Sequence, residues 1–175
     1  MVLTTHQIIG GVIAKVSGVG PILALLFGIA SHYLLDILPH WDYDLRSDPR
    51  NKVENPLDGD IVIGRGFIFD LFKIIPDMFL GLFLTLHFFS ASDFSALTGM
   101  GVWLKDPILW GAMGGVIPDV LQFAYYKIKR EPLRTFQKFH EFMHTQHHHE
   151  YKKAYVLGTV IQIFIITLAI FLFQR

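Results

Sequence analysis

The sequence predicts an all-α, polytopic membrane protein. The expected architecture is a helical bundle of four to five transmembrane helices plus one cytoplasmic or interfacial helix, all in one domain, 1–175. Three observations carry this. First, 52% of the 175 residues are hydrophobic and only 17% are charged, whereas soluble domains carry roughly 25% charged residues. Second, the apolar residues gather in blocks close to the about 20 residues that a spanning helix needs. Third, the basic residues concentrate between some blocks and not others, as membrane topology demands. The same composition excludes a disordered chain, a coiled coil and a highly charged nucleic-acid binder. Fifteen basic residues balance fifteen acidic ones, so no nucleic acid is expected as a partner. Cysteine is absent, so any metal must be held by nitrogen and oxygen.

The blocks run in order along the chain. Block 3–20 is glycine-rich, holds Lys15 and is the weakest span. The segment before it, 1–7, lacks the basic start of a secretory signal, so the first helix is expected to be retained. Block 21–38 carries His32 and Asp36. The segment 40–65 is a polar loop, with Pro56 and Asp58-Gly59 as turn signals. Block 66–89 carries Asp70, Lys73 and Asp77, and block 107–126 carries Asp119. In 131–151, Phe136, Phe139 and Met143 recur at helical spacing in a polar, His-rich context, which reads as an interfacial helix. Block 154–173 has no charge in twenty positions and no dominant amphipathic face, which argues for lipid around it.

Charge orients these blocks. Segments 40–65 and 127–153 hold eleven of the fifteen basic residues, whereas the connection 90–106 has only Lys105. The first two are expected in the cytoplasm, with the N-terminus inside and the C-terminus outside for five spans. If 3–20 does not span, the N-terminus changes side.

Charged groups inside apolar blocks need a reason, because Asp at a membrane helix centre costs about 2.5–3.5 kcal/mol. Asp70 has a simple one: Lys73 lies three residues on, within pairing reach on a helix. Asp119 has no basic residue within four positions and Asp77 has only Lys73, four before it; both sit in an Ile-Pro-Asp tripeptide. Two carboxylates at similar depth repel unless they are protonated, hydrogen-bonded or bridged by a cation. His32 and Asp36 are four apart and share a helix face, a natural zinc half-site. Alternatively, Asp36 simply accepts a proton from His32. Pro39 ends that helix and brings His40 and Asp42 near its mouth.

His140-Glu141-Phe142-Met143-His144 formally satisfies H-E-x-x-H, in which the Glu acts as general base beside a zinc-bound water. Three readings stay open: a zinc peptidase helix, ligands lent by His140 and His144 to a site shared with the spans, or a solvated His-rich helix with His147, His148 and His149. His6 begins the first helix on the same side as Asp36 and His40, which makes it a candidate ligand. His87 reads as an interfacial residue. Asp42, Asp44 and Asp48 do not form a calcium loop, since Arg46 and Ser47 fill the positions that need oxygen and glycine. Gly111, Gly114 and Gly115 read as close helix packing rather than a phosphate cradle.

Thr5-His6, the run Gly28-Ile29-Ala30-Ser31-His32-Tyr33-Leu34-Leu35-Asp36, and Gly114-Gly115-Val116-Ile117-Pro118-Asp119 together resemble the bacterial inner-membrane, membrane-bound metal-dependent hydrolase family. The run His32-x3-Asp36-x2-Pro39-His40 is also similar to a stretch of zinc-dependent phospholipases C and single-strand zinc nucleases. The resemblance implies a bacterial cytoplasmic-membrane location and a phosphoesterase that uses one or two divalent ions, zinc foremost. His6, His32, Asp36 and Asp119 are the core ligands expected, with His40, His140 and His144 joining them. Asp77 or Glu141 would be the general base. The expected partners are membrane lipids and an amphiphilic or lipid-linked substrate. The rival expectations are a membrane zinc metallopeptidase built on His140, Glu141 and His144, and a metal or proton transporter.

Overall fold

The computed structural model describes residues 1–47, 53–90, 103–144 and 151–174, with backbone only for 151–155. Among them are seven α-helices and no strand: α1 Leu3–Ser17, α2 Pro21–Asp36, α3 Arg65–Phe89, α4 Pro107–Gly114, α5 Ile117–Ile128, α6 Leu133–His144 and α7 Tyr151–Phe173. A 3-10 turn at Pro56–Asp58 is the one other regular piece. The all-α class is therefore met.

Local chemistry sets the boundaries. α1 ends at Gly18, whose φ of 62° lies in the left-handed region where glycine is at no disadvantage. Pro21 then occupies the first turn of α2, where a missing N–H costs nothing. The three-residue link makes α1 and α2 an antiparallel hairpin. α1 has 15 residues and α2 has 16, about 22–24 Å at 1.5 Å per residue, short of the about 30 Å hydrocarbon thickness.

The block 107–126, expected as one span, is two helices. α4 stops at Gly114 and α5 begins at Ile117. Pro118 has no N–H to offer the Gly114 carbonyl, and the two glycines before it favour leaving the helix. The amides of Asp119 and Val120 turn to the Val116 carbonyl instead. Among the described residues, one helix is by length and composition together apolar enough to cross a membrane: the window Val156–Phe173 of α7. The expected four or five full-length spans thus reduce, at the level of single helices, to one.

α1 is the central helix and packs on α2, α3, α4 and α7. Small residues make this possible. A Cβ on Gly10 would collide with the Gly111 carbonyl, one on Gly28 with the same carbonyl, and one on Gly115 with the His6 carbonyl. The backbones of α1, α2 and α4 therefore touch directly. At the end of the bundle where α1 finishes, Ile8, Val12, Leu86, Phe89, Ile108 and Ala169 form the apolar core. Lys15 donates to the Phe173 carbonyl at 2.8 Å, closing the free C-terminal end of α7.

The radial pattern is inverted relative to a soluble domain. Ile22, Phe72 and Phe171 are 78%, 72% and 73% exposed, while Thr5, His6, Gln7, His32 and Asp36 are fully buried. The polar groups lie inside, at the end of the bundle where α1 begins and α2 finishes.

Candidate metal centre

Five elements deliver side chains to that end. α1 contributes His6 from its first turns, and α2 contributes His32 and Asp36 from its last. The chain beyond α2 contributes His40, α5 contributes Asp119 from its first turn, and α6 contributes His140 and His144. Asp36 is the hub. Its oxygens lie 3.3 Å from His6 Nε2, 3.0 Å from His32 Nε2, 3.2 Å from His140 Nε2, 3.0 Å from His144 Nε2 and 4.0 Å from His40 Nε2. Asp119 Oδ1 lies 3.9 Å from His32 Nε2 and 4.0 Å from His140 Nε2. The Nε2 atoms of His32 and His140 are 3.2 Å apart, and those of His140 and His144 3.1 Å. The amino group of Met1 also reaches Asp36, at 3.4 Å.

The proton inventory shows what this arrangement wants. His32 donates Nδ1–H to the Gly115 carbonyl at 2.8 Å, and His40 donates Nδ1–H to the Leu38 carbonyl at 2.7 Å. In the neutral form, which has one N–H, both rings turn an Nε2 lone pair inward. Lone pairs facing one another at van der Waals distance or less repel unless a proton or a cation lies between them. Both nitrogens of His6, fully buried, have no hydrogen-bond partner among the described residues. Burial drives the His140 ring below its ordinary value, outweighing its bond to Asp36. Burial likewise lowers His40 to about 4, helped by the Met1 amino group. These two rings are therefore neutral near pH 7 and available as ligands.

The spacing fits a coordination shell. Zinc ligands at about 2.0–2.1 Å in a tetrahedron are about 3.3 Å from one another, and the contacts to Asp36 from His6, His32, His140 and His144 span 3.0–3.3 Å. Three overlapping groups could each hold an ion: His6, His32 and Asp36; His32, Asp119 and His140; Asp36, His40 and His144. The first is fully buried and the third partly exposed. All seven residues expected as ligands from the sequence converge here. Their outer supports resemble those of metal-binding histidines, which usually give their second N–H to a carbonyl or carboxylate.

The two expected general bases are placed elsewhere. Asp77 Oδ2 accepts from the Thr4 amide at 3.1 Å, Oδ1 accepts from the Thr4 hydroxyl at 2.7 Å, and Tyr43 donates a very short bond to Oδ2. It caps the first turn of α1 rather than facing the cluster. Burial, followed by the bond to Asp77, raises the Tyr43 hydroxyl well above its ordinary value, so Tyr43 stays a donor. Glu141 Oε1 accepts from Gln137 at 2.8 Å and lies 3.3 Å from the Tyr126 hydroxyl oxygen. Thus the two histidines of the H-E-x-x-H pentapeptide meet the cluster, while their glutamate is held in a separate network. Asp70 is structural as expected, but by another route. The Ser47 and Arg46 amides bond it at 2.8 and 3.1 Å, with Lys73 at 4.0 Å. His87 stacks on Phe83 near the end of α3. His147, His148 and His149, and Asp48, lie outside the described residues.

Sequence reasoning missed several supports. Gln162 of α7 accepts from the Val2 amide at 3.2 Å and the Thr5 hydroxyl at 3.3 Å, and donates to the Trp41 carbonyl at 3.0 Å. It ties the chain beside His6 and the chain beside His40 to one helix. Its signal was present: an amide in a block otherwise free of strongly polar groups. The carbonyls of Gly115 and Leu38 left no signal, because backbone acceptors are placed by the fold alone. Comparison with known proteins adds nothing to this geometry: no family model, curated protein or solved structure matches the chain.

Proposed function

We propose that the chain is a membrane-embedded, metal-dependent hydrolase. Its most suitable substrate is a phosphoester carried by a lipid or another amphiphile. The observation that carries the reading is the convergence of four imidazole Nε2 atoms on Asp36 at ligand-to-ligand spacing, with His40 and Asp119 at 3.9–4.0 Å beside them. Such a donor set suits one or two divalent ions, and a nitrogen-rich set favours zinc over magnesium or calcium. A bound ion supplies Lewis acidity, polarising a phosphoryl oxygen and activating water. The chain's own residues do the rest. Gly115 and Leu38 fix the His32 and His40 rings, Asp36 joins the ligand groups, and the half-open side near Asp119 and His144 admits solvent and substrate. Asp119, one third exposed, is the ligand carboxylate nearest the mouth.

The membrane part of the proposal rests on the inverted burial. Contiguous apolar side chains cover the outsides of α2, α3 and α7, far more than a soluble monomer leaves bare. Short α1 and broken α4 and α5 are tolerable in a bilayer when neighbouring helices enclose them. The bundle then forms the polytopic unit, with α3 and α7 its longest members. The centre lies at the same end as Arg65, Lys127, Lys129 and Arg130, which favours the cytoplasmic face. The family resemblance, bacterial inner-membrane location included, belongs to this proposal and is consistent with it.

The direct test is to purify the chain in detergent, count bound metals, and assay a chromogenic phosphodiester and phospholipid vesicles with and without chelator. Bound zinc with chelator-sensitive phosphoester cleavage supports the reading. Zinc-dependent peptide cleavage lost in Glu141→Gln would favour the peptidase reading, and metal flux into liposomes without hydrolysis would favour transport.

A further inference from the structure

His140 is committed to the cluster through Nε2, which lies 3.2 Å from Asp36 and 3.2 Å from His32. A neutral ring that gives Nε2 to a metal ion keeps its proton on Nδ1. That Nδ1 is buried and has no hydrogen-bond partner among the described residues. His32 and His40 have carbonyls for theirs. His140 lacks that support.

The missing acceptor lies one turn earlier on the same helix. Gln137 is 2% exposed, and its Oε1 is likewise without a partner among the described residues. Residues three apart share a helix face. The orientation of the carboxamide is not arbitrary. Its Nε2 donates to Glu141 Oε1 at 2.8 Å and to the Tyr126 hydroxyl at 3.3 Å. An ionised carboxylate only accepts, so the nitrogen must face Glu141 and the oxygen must face away. Tyr126 is itself anchored on the Pro56 carbonyl at 3.2 Å. A buried donor and a buried acceptor, each lacking a partner, therefore sit on one face of α6.

We propose that Gln137 is the positioning residue for His140. Its carboxamide oxygen accepts the His140 Nδ1–H through one ordered water, since neither atom bonds the other directly, and so aims Nε2 at the metal. Glu141 and Tyr126 hold the carboxamide in that pose. This gives Glu141 a supporting task two bonds removed from the ion, in place of a general base's. The inference rests on the metal-centre reading above and adds to it a ligand-orienting chain from α5 through α6.

The test is a double-mutant cycle on zinc affinity, with the full chain in detergent micelles. Gln137→Met keeps the side chain's length and removes the acceptor; Gln137→Leu serves if the first variant does not fold. The expected result is a loss of zinc affinity of about 10- to 100-fold in the otherwise unchanged protein, the usual cost of removing such a support. In a His140→Ala background the same substitution should change affinity by less than about two-fold, since the residue it acts through is gone. An equal loss in both backgrounds means Gln137 only packs, and overturns the proposal. So does an unchanged affinity when His140 is present. A wild-type chain that takes up no zinc is a different result: it removes the metal centre itself and this inference with it.

Discussion

The tripeptide Ile-Pro-Asp occurs twice, at Ile75-Pro76-Asp77 and Ile117-Pro118-Asp119, and the two copies have opposite fates. Pro76 lies inside α3, which continues through it. Pro118 lies in the first turn of α5, after a break. What precedes each proline differs: Lys73 and Ile74 in one copy, Gly115 and Val116 in the other. Glycines make leaving the helix cheap, whereas a long helix packed on α1 absorbs a proline. The consequence is a division of labour. Asp77 becomes a scaffold cap for α1, with both oxygens engaged. Asp119, at a fresh helix start, keeps an oxygen turned to His32 and His140. Identical local sequence thus yields one structural and one candidate metal-binding carboxylate.

Substitutions can break this contrast at several points. The largest effect belongs to the shared hub. Asp36→Asn should abolish stoichiometric zinc binding, because every ligand group but one includes it; metal analysis of the purified variant checks this. Asp119→Asn should come next, weakening zinc by about 10- to 100-fold, with the melting temperature in chelator nearly unchanged. Asp77→Asn should do the reverse. It should cost about 1–3 kcal/mol of stability by leaving α1's first amides poorly paired, while zinc stoichiometry is retained. If Asp77→Asn removed the metal and Asp119→Asn did not, the assignment of the two copies would be exchanged.

Gly111→Ala probes the seam that brings the elements together. Its Cβ would run into the Gly10 carbonyl and Ala14, and overpacking of this kind costs about 1–3 kcal/mol. Thermal unfolding measures it. The smallest expected effect is a pH dependence of the metal-free protein. His40 is held at about 4 by burial, below its ordinary 6.5, so the unfolded chain binds more protons between those values. Stability should be full above pH 6.5 and fall as pH drops toward 4; His140 shifts the same way. Unfolding curves in chelator across that range test it, and an undiminished slope in His40→Ala would refute the assignment to His40.

Much of the site was legible in the sequence because its residue types are costly where they stand. His32 and Asp36 share a face by spacing alone, and the His140–His144 pair repeats the device. Asp77 and Glu141, expected as general bases, have partners outside the ligand cluster for a physical reason. A carboxylate in an apolar block must find partners, but spacing does not say whether those are metal ligands or the open amides of another helix. Asp77 found α1, and Glu141 found Gln137 and Tyr126. The spans show the same limit: hydropathy registers a block such as 107–126 but not the point where Gly114, Gly115 and Pro118 divide it.

By itself the sequence determined the all-α class, the nitrogen-and-oxygen character of any metal site, and the candidate ligands. These follow from composition and from the 3.6-residue period, which are local. Only the tertiary structure decided that His6, His32, Asp36, His40, Asp119, His140 and His144 meet, and which carboxylates stay out. Convergence depends on backbones of α1, α2 and α4 touching through glycines, and on carbonyls such as Gly115's turning two rings inward. Those are relations between segments as much as 108 residues apart, and no local pattern encodes them.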